Sequence, residues 1–258
     1  VKMRRHLLIN LDKIIDSPDL IYFLSTLCLH CFTNEYVYFE SKEETKLVSK
    51  LEAMITESIM QSKQLEVLKV LCLASYRKLH KYDWCQDLEL LNHLDDIKKR
   101  LLEEPLAEKT IAKGIAILGV VSDNVSKNVR EQYEESPYPR WVKTALYTKA
   151  KSIAEVCVET GLQLYSENIK NVSDPEILVA GCGTGQHSLR TASRFSNCHV
   201  TAIDLSLTSL AYAKRKTSEY KLKNLDYFQG DILNLDHVKK KFDIIESVGV
   251  LHHMSEPM

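Results

Sequence analysis

No apolar run in this 258-residue chain approaches the ~20 residues that a membrane-spanning helix requires. The greasiest segment, residues 111–121, is too short and is interrupted by Lys113 and Gly114. No apolar signal-peptide core follows the basic residues Lys2, Arg4 and Arg5, because Asn10, Asp12 and Lys13 intervene. A membrane partner is not expected. An excess of one charge is missing as well. The 34 Lys and Arg against 35 Asp and Glu leave a net charge of -1, so nothing draws the chain to nucleic acid. Seven cysteines form no framework; the odd, scattered count points to free thiols, a reducing compartment and a cytoplasmic location. Metal-ligand spacing is also missing. Cys28-Leu29-His30-Cys31 lacks the second pair of a closed zinc site and sits in an apolar helical run, so it reads as buried thiols and no metal is expected. A repeat near 34 residues, the helix-hairpin period of tetratricopeptide arrays, does not emerge.

What is there begins with helices. Residues 1–121 read as an all-α region. Ser17-Pro18-Asp19 is an N-cap with proline at the first helical position. Ser41 and Glu44 form a capping box, followed by Leu47, Leu51, Met54, Ile55 and Ile59 at helical spacing. Another stripe, Leu91, Leu94, Ile97, Leu101 and Leu102, is expected to end at Pro105. Paired antiparallel helices are the simplest packing, with a role in holding a protein partner or recruiting a substrate. A second segment, 122–170, reads as a helical lid and linker. The hinge Ser122-Asp123-Asn124 caps a helix carrying Val125, Val129 and Tyr133, which stops at Ser136-Pro137-Tyr138-Pro139. A further helix over 147–160 ends at Gly161.

From Pro175 the texture changes. Short buried strands are expected at 177–180, 199–203, 225–228 and 242–245, with helices at 186–195 and 207–220 between the first three. Strand–helix–strand order means parallel strands with crossover helices: an α/β, doubly wound parallel sheet of about four strands over 171–258. The first strand runs into Ala180-Gly181-Cys182-Gly183-Thr184-Gly185-Gln186. Glycines at alternate positions allow a tight turn and let a ligand approach, and the helix that follows points free N–H groups at it. Asp204 closes the second strand about 20 residues beyond the glycines, the spacing of a ribose-binding acid, and can accept from both ribose hydroxyls. Its alternative role is N-cap of the next helix, which Ser206 can serve instead. Asp231 after the third strand can accept from a purine amine while Ile232 packs on the ring; a turn aspartate is the alternative. All three features fall at successive strand C-termini, where ligands of open α/β sheets bind.

On these residues the sequence resembles class I S-adenosylmethionine (SAM)-dependent methyltransferases, whose domain is Rossmann-like. Val179 to Gly185 resembles their first motif, Ala202-Ile203-Asp204-Leu205-Ser206 the ribose motif, and Gly230-Asp231-Ile232-Leu233 the adenine motif. The resemblance implies SAM as cofactor, held by Ala180, Gly181, Cys182, Gly183, Gly185, Asp204, Leu205, Asp231 and Ile232. One departure is Ala180, which stands where the family usually has an acidic residue. Upstream, the stretch from Val129 to Trp141 resembles the signature before this domain in proteins that join tetratricopeptide-type helices to it. It implies a lid of Tyr133, Tyr138, Arg140 and Trp141, with Arg140 on the methionine carboxylate; a proline-stiffened joint with packed aromatics is the alternative.

The reaction expected is methyl transfer from SAM to an unidentified protein or small-molecule acceptor, with His252 or His253 as a base if the acceptor must lose a proton. The other readings are a non-catalytic SAM-binding interaction module and an NAD-dependent oxidoreductase. The latter pattern needs glycine where Gln186 stands. A complete domain of the resembled class has seven strands. With four before Met258, the chain is expected to be a fragment, marginally stable and with an exposed sheet edge.

Overall fold

The computed structural model describes residues 1–88, 93–119, 124–164 and 166–251. Leu91 of the last apolar stripe and Ser122 and Asp123 of the hinge lie outside the described residues. The chain divides into two compact units, Val1–Ala107 and Glu108–Met258.

The first unit is helical: α1 (Lys2–Asn10), α2 (Pro18–Thr33), α3 (Lys42–Met60), α4 (Val67–Ala74) and α5 (Asp95–Lys98), the last continuing through a π-turn into α6 (Glu104–Ala112), whose residues from Glu108 on belong to the second unit. Local caps act where the sequence places them. Ser17 Oγ accepts from the Leu20 amide at 3.3 Å, and the Ser41–Glu44 capping box closes in both directions at 3.2 and 2.9 Å. Pro105 does not end its helix as expected. The preceding turn is π-helical, with the Glu104 amide reaching Lys99 O five residues back, so the register slips before the proline. Leu24, Cys28, Val48, Ile55, Leu71 and Leu101 are among the core side chains. Each such burial contributes roughly 1.5–3 kcal/mol for a full-sized apolar group. Burial pushes the Cys28 thiol up to about 12, and its side chain belongs to this core.

Across the core edge, Glu44 also accepts from Arg5 at 2.8 Å and from the Tyr76 hydroxyl at 2.9 Å. Arg4 donates to Ser75 O and Phe39 O and lies 4.0 Å over the Tyr76 ring.

The second unit contains a five-stranded parallel sheet in the order β1-β4-β3-β2-β5. Its strands are β1 (Ala116–Leu118), β2 (Glu176–Ala180), β3 (His199–Asp204), β4 (Leu225–Gly230) and β5 (Ile244–Glu246). Its helices are α7 (Asn124–Glu135), α8 (Ile153–Thr160), α9 (Gln186–Arg194) and α10 (Leu207–Glu219). The Rossmann-like parallel order agrees with the expected α/β class. Two expectations are corrected. Residues 1–121 are not wholly helical, because β1 pairs in parallel with β4, Ala116 facing Phe228. The helix expected over 147–160 begins only at Ile153, where Ser152 and Glu155 make a capping box.

Alternation along β2 and β3 sorts the two faces of the sheet. Ile177, Val179, Val200 and Ala202 join a large core with residues of α8, α9 and α10. Leu178, Ala180 and Ile203 face the other way, onto a thinner layer that includes Ile232, Leu235, Val238 and Phe242. Strands buried on both faces read as continuous apolar runs, which is why β2 and β3 were legible.

Candidate functional site

The strand C-termini meet one cavity of about 370 Å³, within the size range of small-ligand sites. It is lined by the ends of β2, β3 and β4, by α7 and the turn after it, and by Val248, Gly249 and Val250 following β5. Sheet order therefore sets an order along the rim: Asp231 and Ile232 after β4, Asp204 and Leu205 at β3, the glycine loop after β2, then the residues beyond β5.

Gly181, Gly183 and Gly185 all have positive φ, at 75°, 52° and 81°. At Gly181 an added Cβ would lie 2.3 Å from a Val250 methyl, and the residue lines the cavity. Gly185 has another task. It does not line the cavity; a Cβ there would fall 2.5 Å from Ala213 Cβ on α10 and 2.9 Å from the Tyr227 hydroxyl. Ala180, also expected at the cofactor, is buried in the sheet behind the cavity wall.

The loop amides are committed internally. Gly181 N and Cys182 N donate to Ile203 O at 2.8 and 3.0 Å, and Gly185 N donates to Cys182 O at 3.0 Å. Gly183 N donates to Asp204 Oδ2 at 2.7 Å. The free N–H groups expected of the following helix belong to the first turn of α9, which has no side-chain cap. What faces the cavity is backbone stripped of side chains. Cys182 lines it as a buried thiol pushed well above its ordinary range by burial, with the neighbouring Asp204 charge adding to the shift. It is a filler and not a nucleophile.

Asp204 lines the cavity, and its second oxygen accepts from Ser206 N at 2.9 Å. Burial raises this carboxyl, opposed by the Ser206 and Gly183 amides. It does not cap α10; Ser206 Oγ does, accepting from Ser209 N at 3.0 Å. Asp231 is 4% exposed. Its Oδ1 accepts from Leu233 N at 3.0 Å, while its buried Oδ2 has no hydrogen-bond partner, although the residue lines the cavity. A buried carboxylate oxygen left unpaired is costly, so a donor on a ligand is the natural complement.

The roof is α7 with the turn after it. Tyr133 and Tyr138 line the cavity with Val125, Ser126, Val129 and Pro139. This roof is tied down: Glu134 accepts from the α10 amides of Leu207 and Thr208 at 2.6 and 3.1 Å. Thr184 Oγ1 donates to Pro139 O at 2.7 Å, and Trp141 Nε1 donates to Thr184 O at 3.0 Å.

Arg140, expected on the methionine carboxylate, does not line the cavity. It is 6% exposed, 3.4 Å from Glu108, with its guanidinium 5.5 Å over the Tyr212 ring. Glu108 is held by Arg215 as well, at 2.8 Å, and a buried acid beside two cations is a strong competitor for both. His252 and His253 lie outside the described residues. The lining residues that sequence reasoning missed include Thr184, Gln186, His187 and Leu233. The signal for the first three was their position in the turn between the glycines and α9.

Among the described residues no group of three His, Cys, Asp or Glu side chains is arranged for a metal, and no helix is long and apolar enough to cross a membrane. Residues 177–258 match a family model described as a methyltransferase domain. The (S)-tetrahydroprotoberberine N-methyltransferase of Eschscholzia californica is 26% identical over 180 residues, 64% of this chain and 51% of that protein. The ubiquinone biosynthesis O-methyltransferase of Rickettsia bellii is 25% identical over 131 residues, 51% of this chain and 53% of that protein. An uncharacterised Synechococcus protein is 36% identical over 84 residues, covering 32% of this chain and 20% of its own length. The chain thus spans about half the length of the two curated enzymes it matches. Residues 177–258 are thus similar to a methyltransferase domain.

Proposed function

We propose that this chain binds SAM in the rim cavity and serves methyl transfer to a nitrogen or oxygen nucleophile. The observation that carries the reading is the unpaired, buried Asp231 Oδ2, standing beside Asp204 along one rim. Asp231 would accept from the adenine amine with Ile232 and Leu205 against the ring, Asp204 from the ribose hydroxyls, and Gly181 and Gly183 would admit the chain between them. SAM, when bound, supplies a methyl group already activated on a sulfonium. The protein's own work is alignment and exclusion of water, and Tyr133, Tyr138 and Pro139 form the wall that does so.

The loop argues against the dinucleotide alternative. A pyrophosphate needs free backbone N–H groups, and those of Gly181, Cys182, Gly183 and Gly185 are occupied, which leaves it the first turn of α9 alone. A sulfonium is a cation and makes no such demand. N- and O-methylating relatives support an acceptor of that kind. In this proposal the helical unit engages the acceptor or a partner protein; the cavity beside Met54 and Lys69 is only about 50 Å³, too small for a ligand site of its own.

Calorimetric titration tests the cofactor reading. SAM is expected to bind and NAD not to bind. Asp231→Asn should weaken SAM ~10- to 100-fold by replacing an acceptor with a donor opposite the amine. Binding unchanged by that substitution would refute the placement. Labelled SAM with a cell extract then identifies the acceptor.

A further inference from the structure

We propose that His187, held beside Glu246, is the basic side chain that receives the carboxylate of the cofactor's amino-acid end. This rests on the SAM reading and supplies the contact that Arg140 does not make.

The rim order supplies the place. If β4 and β3 hold the adenine and ribose, the amino-acid end must extend toward the β2 and β5 flank. There the glycine loop, Thr184, Gln186 and His187 line one side, and Val248 to Val250 the other. Among the described lining residues, His187 is the only basic one. The two lining acids stand at the opposite flank, so a carboxylate is repelled from that end and has one basic side chain to meet.

Glu246 makes His187 suitable. It closes β5, and its Oε2 lies 3.0 Å from His187 Nε2. The same oxygen accepts from Thr191 Oγ1, one turn further along α9, at 2.5 Å. Burial raises the Glu246 carboxyl, but the His187 and Thr191 contacts outweigh it and hold the group below its ordinary range. Glu246 faces the Nε2 edge of the ring, which leaves the Nδ1 edge for a second partner. His187 is 41% exposed and lines the cavity. Competing cations are engaged elsewhere: Arg140 and Arg215 at Glu108, and Lys216 at Glu219 and Val142 O. Gln186 reaches Thr144 at 3.4 Å.

The test compares three nucleosides that differ at this end: S-adenosylhomocysteine, with the whole amino-acid end on a thioether; 5′-methylthioadenosine, a thioether without it; and decarboxylated SAM, a sulfonium that keeps the amine but not the carboxylate, each variant being compared with the wild type for the same nucleoside. Affinities are measured by calorimetry for the wild-type chain, His187→Ala, His187→Gln and Glu246→Gln. His187→Ala should weaken S-adenosylhomocysteine ~10- to 100-fold, the range of one charge-assisted hydrogen bond, and leave the other two within ~2-fold. His187→Gln should recover part of the loss, since an amide still donates. Glu246→Gln should weaken S-adenosylhomocysteine less than His187→Ala does, because Glu246 acts only by positioning. Equal weakening of all three nucleosides by His187→Ala would mean a structural role, and no weakening would mean no contact; either overturns the inference. Equal weakening of S-adenosylhomocysteine and decarboxylated SAM alone would place the contact at the amino group and overturn it too. A wild-type chain that binds none of the three refutes the cofactor reading itself, and that failure is distinct from the others.

Discussion

Gly185 stands in the glycine loop proposed to hold the cofactor, yet its environment predicts a stability defect when it is substituted. In Gly185→Ala the new methyl would sit 2.5 Å from Ala213 Cβ, 2.9 Å from the Tyr227 hydroxyl and 3.1 Å from Ala213 Cα. Two of those three atoms cannot swing away, since one is backbone and one is fixed to it. Overpacking of this kind costs ~1–3 kcal/mol. The left-handed backbone at φ 81° adds ~1 kcal/mol for a residue with a Cβ. Gly183→Ala shares the second cost but not the first, because nothing lies within 4 Å of its Cβ position. The expected losses are therefore ~2–4 against ~1 kcal/mol. Trp141 reports on this region because its indole donates to Thr184 O, next to Gly185. The chain has two tryptophans, so a Trp84→Phe background isolates the Trp141 signal. With a urea m-value of ~2 kcal/mol per molar, the two variants should unfold ~1 M apart. Removing the opposing methyl with Ala213→Gly should make Gly185→Ala less costly than in the wild type by ~1 kcal/mol. Equal midpoints for the two glycine variants, or strict additivity with Ala213→Gly, would refute the packing argument.

Two further outcomes concern buried charge. Burial raises the Glu44 carboxyl, but the Ser41 amide, Arg5 and Tyr76 outweigh it and lower the group from 4.5 to about 2. That contribution, ~3 kcal/mol, is complete above pH ~4.5 and is lost as pH falls through ~2. Acid unfolding followed by Trp84 in a Trp141→Phe background should lose most of that dependence in Glu44→Gln. Glu108→Gln removes a buried acid from Arg140 and from Arg215, which keeps Glu219, and should cost ~1–3 kcal/mol in a urea titration of Trp141; no loss of stability would refute a stabilising role for the cluster.

The elements that sequence revealed carry their reasons locally. The strands β2, β3 and β4 are buried runs, and Ser17, Ser41 and Glu44 cap their own helices within four residues. The glycine loop, Asp204 and Asp231 follow from strand ends, so they were legible once the strands were. What escaped depends on distant partners. β1 is three residues long and is a strand only because β4, more than 100 residues later, offers its edge. The stretch 141–152 held by Tyr220 and Ser193 could not be told from a helix by spacing, although Ser152 and Glu155 did mark the true start. The resemblance implied Arg140 at the cofactor, whereas Glu108, 32 residues upstream, holds it in the structure. Nothing local marks His187; β5, more than 50 residues later, brings Glu246 beside it.

The start of α10 explains why the rim favours a donor-rich, cationic ligand over a phosphate. A helix N-terminus ordinarily leaves four N–H groups open and attracts anions. Here Asp204 takes Ser206 N, Glu134 takes Leu207 N and Thr208 N, and Ser206 Oγ takes Ser209 N. One of those acceptors comes from the roof helix, so the contact that closes the cavity is also the one that removes its nearest anion site. Asp204 meanwhile ties Gly183 N with its other oxygen, which removes a second. The β3–β4 flank of the cavity is thus left with acceptors, two carboxylates, and with few donors. Nucleoside hydroxyls and an adenine amine complement that surface, whereas a pyrophosphate would face uncompensated negative charge. The anionic part of a ligand has to go to the other flank, where His187 stands.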